Sequence, residues 1–463
     1  MSRLTAAAAL AACVLVVLPA CRHGRGTWTD PSVWGSSGRG RRAKRIPMKR
    51  AEPTEGDRAE VMDILEEELD RNLQQLQSDE VELPAYFMAY ELFASEELYM
   101  EAEDGVLVRN DLDEGRSVDV DVRVGDRTLD NSHTREGDYG PGNGLGSGLP
   151  VSLDDNSLSL AQSIWLDTEQ QYKDAVASYR EMESAEQLRS DDERDHPDFS
   201  EEKPLVHIEP EYSLDFEDVR QKWKAQLEQV SAELGGDPKV LQSAVTLSAI
   251  AENRYFVNSE GTQVQSGATR LRVLMDAQAQ AEDGMVLERT ATFEAHEPDE
   301  LPDLELMLAE AKRLREELLA LREAPVADPY TGPAILEGRA AGVFFHEIFG
   351  HRLEGHRQKD DLEGQTFTDK LGKPVLPRFL DVIDDPTVVE LGDVPLSGHY
   401  FVDDEGVRSR RTVLVERGKL KSFLLGRSPV LPFKKSNGHG RREPGHQVVA
   451  RQGNLIVTSR RTM

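Results

Sequence analysis

Gly342-Val-Phe-Phe-His346-Glu347-Ile-Phe-Gly350-His351-Arg-Leu-Glu354-Gly355 sets two imidazoles and a carboxylate inside an apolar run. Neutral imidazoles ligate Zn²⁺, and a carboxylate beside the first can take a proton from metal-bound water, the logic of the shorter His-Glu-x-x-His motif. Here the spacing is one residue longer. Positions i and i+5 of a regular α-helix lie roughly 140° apart and could not share one ion. The spacing therefore predicts a π-bulge between His346 and His351, with Gly350 where such a distortion is cheapest. Ala340, Ala341, Val343, Phe344, Phe345, Ile348, Phe349 and Leu353 leave no polar face, so this helix is expected to be buried. A His-Glu pair there is costly unless partnered, which favours a metal over two core histidines.

Working outward, a small-apolar approach, Ala341-Gly342-Val343, precedes the motif, and Leu353-Glu354-Gly355 follows it. Further on come a hairpin-like pair, Val402 to Gly406 and Val413 to Gly418, and the element Asn437-Gly438-His439-Gly440-Arg441-Arg442-Glu443. Together these resemble the TldD/PmbA group of zinc metallopeptidases, once described as modulators of DNA gyrase. The resemblance covers residues 57–463, and is strongest from about Ala334 onward.

That resemblance implies a zinc-dependent peptidase acting on unstructured or extended peptides, with His346 and His351 as zinc ligands and Glu347 as general base. It implies a peptide lying along sheet edges, which fits β-augmentation, and Arg441 and Arg442 as substrate or cleft-wall contacts, with a structural surface pair as the alternative. In metal-binding members the third ligand is a Cys near the C-terminal end. This chain has only Cys13 and Cys21, and members continue past the point matching Met463, so the C-terminal domain is expected to be incomplete at that end. Otherwise another third ligand is recruited, with His356, His439 and His446 open as candidates. The rival reading is a catalytically inactive PmbA-like partner or peptide-binding scaffold. The implied assembly is a homodimer or a heterodimer with a PmbA-like paralogue. A purely structural envelope protein would leave the His-Glu pair unexplained.

Arg3 and the apolar run from Leu4 to Ala20 read as a secretory signal segment, too short for a stable spanning helix. The run ends in Leu18-Pro19-Ala20-Cys21, which resembles a bacterial lipobox, so Cys21 is expected to carry lipid. Leu10-Ala11-Ala12-Cys13 also fits, but cleavage there would leave Val14 to Ala20 on the mature chain. The expected location is exported, periplasm-facing or at the outer membrane, held by a lipid anchor. With Cys13 removed and Cys21 lipidated, no disulfide can form.

Residues 1–50 carry ten Lys and Arg against Asp30, a balance of +9, so −39 falls on the remainder of a chain whose total is −30. The basic stretch reads as a disordered tether over residues 21–56, lying against anionic headgroups. The acidic body argues against nucleic-acid binding.

At 463 residues, 38% of them hydrophobic, the chain can bury a large core in more than one domain. The patterning predicts an α+β protein: an N-terminal unit of helix plus antiparallel sheet at 57–182, a charged linker at 183–204, and a C-terminal mixed unit at 205–463 with the metal-motif helix and antiparallel strands. Helices are expected over Asp57–Ser78, from Leu158 through Met182, Phe216–Leu234 and Leu304–Leu321. Strands are expected at Tyr86–Leu92, Glu97–Arg109 folded at Asp104-Gly105, Ser117–Val124, Val245–Ile250, Tyr255–Val257 and Leu271–Ala277. Later ones are expected at Arg378–Val382, His399–Val402, Arg411–Glu416 and Leu420–Leu425. Val118, Val120, Val122 and Val124 alternate with Asp119, Asp121 and Arg123, which predicts one dry face and one wet face.

Overall fold

The alternation read as short strands runs much further than its apolar members suggest. In chain order the computed structural model contains β1 (Met48–Arg50), α1 (Glu60–Leu76), β2 (Ala85–Glu103), β3 (Val106–Val124), β4 (Leu149–Pro150), α2 (Ser157–Glu186), β5 (Val206–Ile208) and α3 (Phe216–Leu234). Then come β6 (Val240–Asn258), β7 (Gln263–Gln280), β8 (Val286–Ala295), α4 (Leu304–Glu323) and α5 (Gly338–Phe345). Short strands follow: β9 (Leu380–Asp384), β10 (Val388–Leu391), β11 (Val394–Pro395), β12 (Thr412–Glu416), β13 (Lys419–Leu420), β14 (Gly440–Arg441), β15 (Val449–Ala450) and β16 (Leu455–Ser459). The structure describes residues 47–78, 81–133, 147–186, 197–359, 365–392 and 394–461, so the expected signal segment, with Cys13 and Cys21, lies outside the described residues. No helix among the described residues is long and apolar enough to cross a membrane.

A seven-stranded sheet runs β4-β3-β2-β6-β7-β5, with β8 also on β7. Strands β2 and β6 pair without a break from Ala89↔Asn258 to Ala102↔Val245. Strands from both sides of the charged stretch 183–204 therefore share one sheet, and the two units expected there are not separate sheets. The α+β class with antiparallel pairing holds. Helix α3 keeps its expected bounds because Asp215 accepts from Asp218 N at its start and Gly235-Gly236 follow its end.

Even-numbered residues of β2 face the helices. Leu98, Met100 and Ala102 pack with Trp223 and Leu227 of α3 and Met307 and Leu314 of α4. Met88, Tyr90 and Leu92 pack with Met62 and Leu65 of α1 and Leu160 and Ile164 of α2. The odd-numbered face meets the C-terminal region, where Phe87, Ala89 and Phe256 pack with Phe199 and Val402. The face of β3 expected to be wet is covered in this way: Asp119 and Arg123 are buried. Charge is tolerated there because it is paired. Glu91 accepts from Arg442 Nε at 2.9 Å and Arg254 Nη1 at 2.5 Å, and Asp119 accepts from Gly148 N and Gly445 N. Arg427 makes a bidentate pair with Glu260 at 2.8 and 2.9 Å and lies over the Phe199 ring.

Below this face a second, four-stranded sheet runs β13-β12-β9-β16. Expected strands at Arg378–Val382 and Arg411–Glu416 match β9 and β12 closely, but Leu420–Leu425 is a strand only at its start. His399–Val402 is no strand, since side-chain bonds hold it: His399 Nδ1 with Pro386 O at 2.8 Å, and Ser409 Oγ donating to Tyr400 O. The expected tether is also corrected over its described part. Strand β1 pairs with β10, Arg50 bonds Asp385 at 2.6 Å, Lys49 faces Glu390, and Gly56 N donates to Ile208 O. Residues 47–59 are thus a docked strap, running from the C-terminal region to β5.

Candidate metal centre

Helix α5 ends at Phe345, and the next turn, His346–Gly350, is a π-turn followed by a 3₁₀ turn at His351–Leu353. The His351 N–H donates to the His346 carbonyl, the i to i+5 bond that the motif spacing predicts. The two imidazole rings come to 4.5 Å between centroids. One atom each of His346, Glu347 and His351 lies within 4.8 Å of the others, which one cation can span. Each histidine Nε2 sits 3.7 Å from a Glu347 oxygen.

The helix is not buried all round. Ala341, Gly342, Phe349 and Gly350 pack inward, joining Leu353, Val382, Leu414 and Phe423. Val343, Phe344 and Ile348 stay exposed, because only one side of the helix meets that core.

The residues after the motif each have a structural task. Leu353 anchors the core, and its carbonyl accepts from Leu424 N. Gly355 N donates to Leu424 O, and a Cβ on Gly355 would stand 2.6 Å from that same oxygen. Glu354, 1% exposed, accepts from His351 Nδ1 at 2.9 Å and Arg357 Nε at 2.8 Å. Burial pushes the Glu354 carboxyl up, but the His351 hydrogen bond, the charges of His356 and Arg451 and the Arg357 hydrogen bond outweigh it and bring it down to about 2. An ionised carboxylate only accepts, so His351 Nδ1 carries the proton and leaves Nε2 free to bind a metal. Burial, with His351 adding to it, lowers the His346 pKa and favours the neutral imidazole that ligation needs.

The depressed Glu354 carboxyl predicts a pH dependence of stability. Its contribution is fully present above about pH 4.5 and is lost as pH falls toward 2, on the order of 3 kcal/mol in all. Urea midpoints measured from pH 5.5 to 3 should fall more steeply for the unmodified chain than for Glu354→Gln. Equal slopes would refute the assignment.

Among the described residues, His356, His439 and His446 do not join the cluster. His356 is half-buried at the wall of a partly open cavity, His439 is buried against Asp384 at 3.1 Å, and His446 N bonds Glu443 O in a turn. Arg441 and Arg442 belong to the ion network instead. Arg442 is held by Glu91, and Arg441 pairs with Asp404 at 3.3 Å and lies over Tyr400. The cavity that Arg442 and His356 line holds about 60 Å³, room for a few waters and not for a peptide residue.

The two imidazoles are donors that suit zinc, and with Glu347 kept as a base they supply two of the three protein ligands that a catalytic zinc site uses. Comparison with known proteins points the same way. Residues 329–463 match the family model described as the PmbA/TldA metallopeptidase C-terminal domain. The chain is 32% identical over 227 residues to a metalloprotease of Methanocaldococcus jannaschii, covering 48% of this chain and 47% of that protein. It is 34% identical over 103 residues to a protein of Saccharolobus solfataricus named zinc metalloprotease TldD homolog, covering 22% of this chain and 21% of that protein. The matched part thus spans about half the length, or less, of these relatives. The fold is similar to that of TldE from Thermococcus kodakarensis, with a TM-score of 0.54 at 16% identity over 85% of this chain and 77% of that one. A Thermotoga maritima structure described as a putative modulator of a DNA gyrase gives 0.53 at 16% identity, with the same coverage of both chains. The relatives from Methanocaldococcus jannaschii and Saccharolobus solfataricus are both named as metalloproteases.

Proposed function

We propose that this chain is a zinc-dependent peptidase acting on unstructured or extended peptides, with His346 and His351 as ligands and Glu347 as general base. The observation that carries the reading is the i to i+5 hydrogen bond, which brings His346 to His351, where a regular helix would turn the two apart, with Glu347 beside both. When bound, zinc supplies Lewis-acid polarisation of the scissile carbonyl. Glu347, half-exposed beside both histidines, is placed to take a proton from the attacking water and hand it to the leaving amine. Glu354 holds His351 in the ligating tautomer.

Metal analysis tests this. The purified chain should hold about one zinc, and either His346→Ala or His351→Ala should reduce that to near none. Hydrolysis of an unstructured fluorogenic peptide should stop with a chelator and return with added zinc. A folded, unmodified chain without zinc or hydrolysis would leave the peptide-binding scaffold as the better account.

A further inference from the structure

His351 has a partner for its second ring nitrogen, and His346 does not. Its Nδ1 is sealed from solvent and has no hydrogen-bond partner among the described residues. The same holds for both ends of the Gln452 carboxamide, on a residue only 9% exposed. The Gln452 carboxamide packs on the turn that His346 opens. A Cβ on Gly350 would overlap the Gln452 carboxamide, and would stand 2.7 Å from its Nε2. Gly350 closes the π-turn that His346 opens.

Buried donors and acceptors left unmatched cost free energy, and native folds retain few of them. A ligating histidine usually donates its other N–H to an oxygen, which fixes ring and tautomer. Glu354 does this for His351. We propose that Gln452 does it for His346: its Oε1 accepts from Nδ1–H when the ion binds, turning Nε2 of the ring toward the metal. Gly350 is then glycine for a second reason, since any side chain there would push the carboxamide out of reach. The proposal rests on the zinc reading above, and assigns Gln452 as a positioning residue.

Zinc affinity from chelator competition, the visible spectrum of the cobalt(II) form, and thermal unfolding of the metal-free chain test it together. Gln452→Met keeps length and removes the acceptor; Gln452→Glu keeps an oxygen. Zinc affinity should fall roughly 10- to 100-fold in Gln452→Met, with a changed cobalt spectrum, and stay within a few-fold in Gln452→Glu. Metal-free Gln452→Met should unfold no earlier than the unmodified chain, because an apolar side chain replaces an unmatched amide. A merely structural glutamine would give the reverse: earlier unfolding with unchanged zinc affinity and spectrum. Gly350→Ala should weaken zinc binding in the unmodified background, and cost little more once Gln452→Ala has removed the overlap. Equal losses in both backgrounds would overturn the proposal while leaving the zinc site standing. A metal-free unmodified chain would defeat the zinc reading, and the proposal with it.

Discussion

Glu347→Gln should leave zinc near one per chain while cutting peptide hydrolysis by at least about 100-fold. The amide keeps the shape of the carboxylate but takes no proton, and positioned acid–base groups contribute about 10²- to 10⁴-fold. The geometry makes this substitution more informative than it would be in sequence alone. Glu347 lies 3.7 Å from each histidine Nε2, close enough to serve as a ligand instead of a base. A base predicts lost turnover with zinc kept; a ligand predicts lower zinc content as well. Hydrolysis within tenfold of the unmodified rate would remove Glu347 from the chemistry.

Arg442→Met should destabilise the fold by about 3 kcal/mol, through the buried carboxylate of Glu91 rather than through lost substrate contact. Breaking a buried pair leaves a buried charge with less compensation. Arg254 still faces Glu91 at 2.5 Å, which places the cost at the lower end of that range. Adding Glu91→Gln should recover part of the loss, because the under-compensated charge is gone. Urea unfolding of the two single variants and the double variant measures this. An unchanged midpoint in Arg442→Met would show that the pair contributes nothing to folding.

The centre of the candidate site was legible because it breaks a rule. Two imidazoles five apart cannot share an ion on a regular helix, so the spacing itself demanded the π-turn at His346–Gly350. Helix α3 was equally legible, since Asp215 and Gly235-Gly236 mark both ends. The long strands were not. Asp119 and Asp121 read as water-facing positions, and charged residues such as Glu96, Asp111 and Asp113 fall between the expected strands, whereas β2 and β3 run on through them and the C-terminal region buries Asp119. Charge pairing across hundreds of residues leaves no local signal. Gln452 was illegible for the same reason: a single glutamine, about a hundred residues past the motif, becomes informative only when the fold lays it on Gly350.

The docked strap ties the order of folding to the order of synthesis. Strand β1 finds its partner β10 only after some 340 further residues have been made, and Gly56 must meet Ile208, so a nascent chain carries this segment unpaired for most of its elongation. Closing a loop that long costs entropy that only a preformed partner surface can offset. The strap is therefore expected to dock late, as a latch over sheets that have already formed, and its backbone amides should be among the first to exchange with solvent when the native chain opens locally.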